Sequence, residues 1–227
     1  GKGAGQGASG QSHSYNTAVG TNALLSVTTG GQNSVLGQNA GDALTTGQLN
    51  CIIGQSACSV STDVDKTVII GVDAGNGALD SGADGTVAIG YRAGAALISG
   101  LGNIAIGYEA MDAITTGGHN IAIGYAALDS ALAGDDSNIA IGTNALGGSH
   151  TGTASRQNVA IGGDAMAGAM NDGDDNVAVG YIAGQAVISS HDSVFIGSEA
   201  GKAITVALGN IAVGKNAMGG VTVEAAN

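Results

Sequence analysis

From residue 15 to residue 218, triplets of aliphatic residues recur at a short, nearly fixed interval, each followed by Gly and then by a polar, turn-rich stretch. Gly102-Asn103-Ile104-Ala105-Ile106-Gly107-Tyr108-Glu109-Ala110-Met111 is followed by His119-Asn120-Ile121-Ala122-Ile123-Gly124-Tyr125-Ala126-Ala127-Leu128. Asn103, Ile106, Gly107 and Ala110 thus have counterparts in Asn120, Ile123, Gly124 and Ala127. Aligned on that Gly, the chain divides into twelve coils, numbered 1 to 12 from Gly20, Gly37, Gly54, Gly71, Gly90, Gly107, Gly124, Gly142, Gly162, Gly180, Gly197 and Gly214. Most steps are 17 residues, with longer ones of 18, 19 or 20 in coils 4, 7, 8 and 9. A short fixed period is the signature of a solenoid.

The columns of the alignment predict one short strand per coil. Val, Ile or Leu stands immediately before the Gly in all twelve coils, and Val or Ile three before it in nine. The residue between is Ala in eight coils and Val35, Ile52, Ile69 or Phe195 in the rest. Alternate residues of a strand face opposite ways, so both faces of this strand are apolar and both need covering. Three residues after the Gly stands Ala in every coil, which marks a place with room for a methyl and no more. Asn stands four before the Gly in nine coils, with Thr67, Thr86 and Ser193 in the others; such a column can bond from coil to coil and satisfy the turns. One coil cannot fold alone, since ordering 17 residues costs roughly 17–34 kcal/mol and its few aliphatics return about 1.5–3 kcal/mol each. The pattern predicts an all-β parallel β-roll of about twelve coils over residues 15–218, after a Gly/Ser-rich lead-in at 1–14 and before a strand or tail at 219–227. The lead-in reads as a flexible linker; its Gly5, Gly7 and Gly10 match a dinucleotide fingerprint only formally, with no strand before and no helix after.

Composition sharpens this picture. Gly is 42 of 227 residues and Pro is absent where about eleven are expected, so nearly every backbone N–H is wanted as a donor. A net charge of −12 with six Lys and Arg excludes a nucleic-acid or anionic-membrane partner, and no apolar run is long enough for membrane insertion. Cys51 and Cys58 have no metal-ligand spacing; both are expected reduced and buried, a disulfide across one coil being the alternative.

The Asn-Ile-Ala-Ile-Gly units with Ala three residues on resemble the head repeats of trimeric autotransporter adhesins, and Asn16-Thr17-Ala18-Val19-Gly20 is similar to the repeats of phage tail-fibre proteins. The resemblance spans residues 15–218. It implies a left-handed roll, three copies intertwined as a homotrimer, and a role in surface attachment. One strand face would then fill the roll and the Ala face would meet the partner chains. The period of 17 departs from the shorter adhesin repeat, and stalk heptads, membrane anchor and tail-fibre chaperone domain are missing.

Candidate chemistry is sparse. The four histidines recur in no column and read as exposed residues of the lead-in and turns, and no nucleophile elbow, zincin motif or P-loop occurs, so no enzyme is expected and no catalytic or cofactor-binding residue is assigned. Asp172, Asp174 and Asp175 make the best calcium candidates, set against the plainer reading as solvated acidic turns. Tyr91, Tyr108, Tyr125 and Tyr181 each follow the motif Gly, a row able to meet a cell-surface glycan or host receptor or simply to shield the turn edge. The expected function is a non-enzymatic adhesive or structural fibre of a phage or bacterial surface, extracellular or on a virion. A filament assembling end to end and an ice-binding solenoid are the alternatives.

Overall fold

The computed structural model describes residues 1–7, 14–130, 134–150 and 152–220. Each coil contributes one three-residue strand, and twelve of them stack into a single parallel sheet from Thr17–Val19 to Ile211–Val213, giving about eleven complete turns of a β-solenoid. The register is the one the repeat dictates: Ile104, Ala105 and Ile106 lie opposite Ile121, Ala122 and Ile123. A second, two-stranded sheet joins Ser189–His191 to Val206–Leu208. The described residues contain no α-helix, only one 3-10 turn at Ser81–Ala83 that takes up the extra length of coil 4.

Two backbone requirements explain the punctuation of each coil. The motif glycines have φ between 120° and 146°, and a Cβ on Gly107 would sit 2.2 Å from the carbonyl oxygen of Gly124. No side chain fits between coils that close. After the Gly, the residues two and four further on are left-handed, as Glu109 (φ 53°) and Met111 (φ 58°) show. Asn, Asp and Gly tolerate that region best, which accounts for Asn22, Asn39, Asp73, Asn144 and Asp164 at the first place and Gly41, Gly75, Gly94, Gly184 and Gly201 at the second.

The Asn column forms a hydrogen-bonded ladder in two runs, one on each side of Thr86. The side-chain oxygen of Asn103 accepts the backbone N–H of Asn120 (3.0 Å), and that of Asn120 accepts the N–H of Asn138 (2.9 Å). Each amide nitrogen donates to a turn carbonyl one coil on, as Asn120 does to Asp135 (2.9 Å) and Asn158 to Gly173 (2.6 Å). Thr67 continues the run by donating its hydroxyl to Asn50 (2.8 Å), but Thr86 turns its hydroxyl to Ala83 and the ladder restarts at Asn103.

The strand faces are the reverse of the expectation. The middle residues, among them Ala105, Ala122, Ile52 and Phe195, point into the roll and are fully buried, while the flanking Val and Ile residues point outward. The interior is too thin to take two large columns, and the turn supplies the second one. In six of the eight coils where the strand offers Ala, the residue four after the Gly is Leu or Met, as in Ala105 with Met111 and Ala122 with Leu128. Where it offers Val35, Ile69 or Phe195, that residue is Gly, as it also is after Ala88 and Ala178. A Cβ on Gly201 would meet the Phe195 ring at 2.3 Å. Glu at Ala105 or Ala122 would therefore bury a charge inside a coil rather than disturb a contact between chains.

The described part of the lead-in is not a loose linker. Asn22 donates its N–H to Lys2 (2.8 Å), Gly5 donates to Ala23 (2.8 Å), and Gly1 lies against Gly20 as one motif glycine lies against the next. Gly1-Lys2-Gly3-Ala4-Gly5 repeats the second half of a coil, with Ala three and Gly four residues after the Gly. Gly10 of the fingerprint, and the tail from 221, lie outside the described residues.

Gly107→Ala should lower stability by more than about 3 kcal/mol in thermal or denaturant unfolding, because a positive φ and a backbone collision act together. Phe195→Ala should cost about 3–5 kcal/mol. Adding Gly201→Leu should recover at least half of that loss, since the pair then reproduces Ala122 with Leu128; no recovery would contradict the packing.

Candidate functional surface

Because the strands face outward with their large residues, the molecule carries an apolar strip along its length. Ile104, Ile106, Ile121, Ile123, Ile139 and Ile141 form its middle, half-buried against one another, and Val19, Leu36, Ile211 and Val213 its more exposed ends. Twelve strands at ~4.8 Å and three residues at ~3.3 Å give a face of about 570 Å² in plan. That is at the upper end of what a soluble monomer exposes.

Along one edge of the strip runs the tyrosine row. Tyr91 and Tyr108 stack with ring centroids 5.0 Å apart, and Tyr108 and Tyr125 at 5.3 Å with their planes 8° from parallel. The three rings therefore cover one another's faces and present edges and hydroxyls; only the two outer faces are open to another ring. Tyr181 stands apart from them, its ring over Gly163, where a Cβ would lie 3.5 Å away. Beside the row, Arg92 bonds Asp112 (2.9 Å), and the neighbouring Glu109 carboxylate holds the Tyr108 phenol above its usual range.

The acidic turn does not gather into a cation site. Asp174 accepts the N–H of Arg156 (2.7 Å), and Asp172 and Asp175 occupy left-handed positions on the exposed side of the turn. Among the described residues no three His, Cys, Asp or Glu side chains come together to hold a metal. Asp65, Asp84 and Asp136 use their carboxylates as Asp174 does, each on the backbone N–H one coil back, at 2.7, 2.8 and 3.0 Å.

One histidine departs from the expectation of exposed turns. His150 is buried, its Nδ1 2.6 Å from the buried carboxylate of Asp135, which also accepts the Ser155 N–H at 2.6 Å. The lengthened coils explain it. Their inward-pointing turn residue falls eight rather than seven places after the Gly, as Leu79 and Met170 do, and His150 holds that place in coil 8. The spacing was the available signal. With both side chains fully covered, the pair has no path to a substrate and acts inside the packing. His119 is exposed, His191 lies in the second sheet, and His13 falls outside the described residues.

The cysteines separate. Cys58 is buried in the interior and Cys51 is half-buried in the outward strip, both as free thiols. The expectation of burial holds for Cys58 and fails for Cys51, which follows from the reversed strand faces.

Comparison of the chain with protein-family models, with curated proteins and with solved structures finds no match. The described residues include no helix long and apolar enough to cross a membrane.

Burial pushes the Cys58 thiol up to about 11, so it carries almost no thiolate at neutral pH. A maleimide should modify Cys51 first, and Cys58 only after unfolding. Modification of Cys58 before Cys51 in the folded protein would contradict the placement of the two faces.

Proposed function

We propose that this chain is a non-enzymatic rod module of an extracellular attachment fibre, of the kind borne by phages and bacterial surfaces, and that it works as a homotrimer. The observation that carries the reading is the outward strip of Val and Ile. A strip of this length in water is costly, at ~25 cal/mol per Å² of apolar surface, and other copies of the same chain are the partner whose length and repeat match it. The resemblance of the Asn-Ile-Ala-Ile-Gly units to adhesin heads and tail fibres supports the same arrangement. In it the strips meet along a common axis, whereas the Ala column lies within each roll. The acidic, Lys-poor outer surface remains for solvent and receptor. A stack of hydrogen-bonded coils resists pulling along its length, as a fibre requires. The tyrosine row at the strip's edge is the aromatic feature through which a surface glycan or protein receptor would be met.

Ile106→Asp combined with Ile123→Asp should leave the circular dichroism spectrum of the coils unchanged and reduce the mass in light scattering to that of one chain, 21.6 kDa. The unaltered protein should show three times that mass. A single-chain mass for the unaltered protein would refute the trimer.

A further inference from the structure

Charged side chains border the apolar strip on both sides. On one border, five or six residues before the motif Gly, stand Asp65 and Lys66 in coil 4, Asp84 in coil 5 and Arg156 in coil 9. On the other, two residues after the Gly, stand Asp73 in coil 4, Arg92 in coil 5 and Asp164 in coil 9. In coils 5 and 9 the two borders carry opposite charges; in coil 4 Lys66 is opposite to Asp73, while its neighbour Asp65 is like it. Within one chain the strip separates them. In a cyclic assembly whose axis runs along the rods, the first border of one copy faces the second border of the next.

We propose that these borders fix the register of self-association: copies pack parallel and level, joining Lys66 to Asp73, Asp84 to Arg92 and Arg156 to Asp164 between neighbouring chains. This rests on the reading of the strip as a self-contact and adds the orientation of the partner.

The other ways of meeting the strip bring like charges together. In an antiparallel pair each border faces itself with the coils reversed, so coil 4 meets coil 9 and coil 5 meets coil 8. Asp84 then faces Asp136 and Asp73 faces Asp164, while Arg156 meets both Asp65 and Lys66. A slip of one coil in one direction sets Asp84 against Glu109 and Asp136 against Asp164; in the other it sets Asp84 against Asp73 and Asp174 against Asp164. Like charges facing each other across an interface oppose the wrong partner more strongly than opposite charges favour the right one. The level arrangement has two unfavourable places. In coil 4 Asp65 faces Asp73 beside the favourable Lys66, while one of its oxygens accepts the Gln48 N–H. In coil 11 Asp192 faces Glu199, itself already bonded to Lys202 of its own chain. Several of the side chains are held in position beforehand. One oxygen of Asp84 accepts the Asp65 N–H (2.8 Å), one of Asp164 accepts the Asn144 amide (2.7 Å), and Arg92 rests on Asp112 (2.9 Å) with further N–H groups to spare. Each keeps a second oxygen or another edge of the fork for a partner, at a smaller cost in side-chain freedom.

Two measurements test the register. Lys66→Asp with Arg156→Asp should weaken self-association at least about tenfold in sedimentation, an effect that salt reduces; adding Asp73→Lys and Asp164→Lys should restore it to within about threefold. A short bis-maleimide should join Cys51 of one copy to Cys51 of the next, because level copies place this outward thiol at the same height; the interior Cys58 stays unlinked. An assembly that forms but ignores the charge reversals and gives no Cys51 cross-link would overturn the register while leaving the self-contact standing. A protein that stays a single chain at every concentration would overturn the self-contact itself.

Discussion

The hydrogen bond from one coil to the next, at a spacing of ~4.8 Å, is the constraint from which the rest of this structure follows. It runs through the strands, where Gly107 donates to Ile89 and Gly124 to Ile106, each at 2.8 Å. It also runs through the turns, where Leu128 donates to Ala145 and Met111 to Ala127. Coils this close leave no space above the motif Gly, so that residue cannot carry a side chain. They also bring turn N–H and C=O groups into the dry interior, where each would cost about 1–3 kcal/mol if unpaired. The Asn column meets that need, and the Asp residues at the border meet it where the turns reach water.

Much of this was legible in the sequence because a solenoid repeats its demands. The period, the strand, the strict Ala and the Asn ladder each recur up to twelve times, and each recurrence repeats the same physical requirement. The direction of the strand faces was not legible from the strand columns alone, since both are apolar. A pairing of columns in most coils points to it: Gly41, Gly75 and Gly201 accompany Val35, Ile69 and Phe195, while Met111 and Leu128 accompany Ala105 and Ala122; only Gly94 and Gly184 accompany Ala instead. Two columns that trade volume share an interior. The lead-in was misread because its Gly-rich composition hid Ala4 and Gly5 at the spacing of the repeat.

What recurs only once was hardest to see. The buried Asp135–His150 pair sits in coils whose lengths depart from 17, and the alignment there shifts by one place. Its two 2.6 Å bonds and the one from Asn120 to the Asp135 carbonyl tie the lengthened turns to the regular ladder, so the insertions are accommodated without breaking the stack. At coil 4 the accommodation is different. A 3-10 turn absorbs the extra residues and the side-chain ladder lapses at Thr86. For the functional surface the residues were legible in the sequence, but their arrangement came from the fold: three tyrosines that stack on one another, one that stands alone, and an outward aliphatic strip.

The central claim is that the coil-to-coil bonds, with the Asn ladder inside them, hold the rod together. Hydrogen exchange at single-amide resolution tests it most directly. The backbone N–H groups of Asn120, Asn138, Asn158 and Asn176, which donate to the Asn one coil back, should exchange as slowly as those of the central strands, and protection should dip at Thr86 where the ladder lapses. Fast exchange at those four amides beside slow exchange in the strands would mean that the ladder decorates the stack rather than holding it.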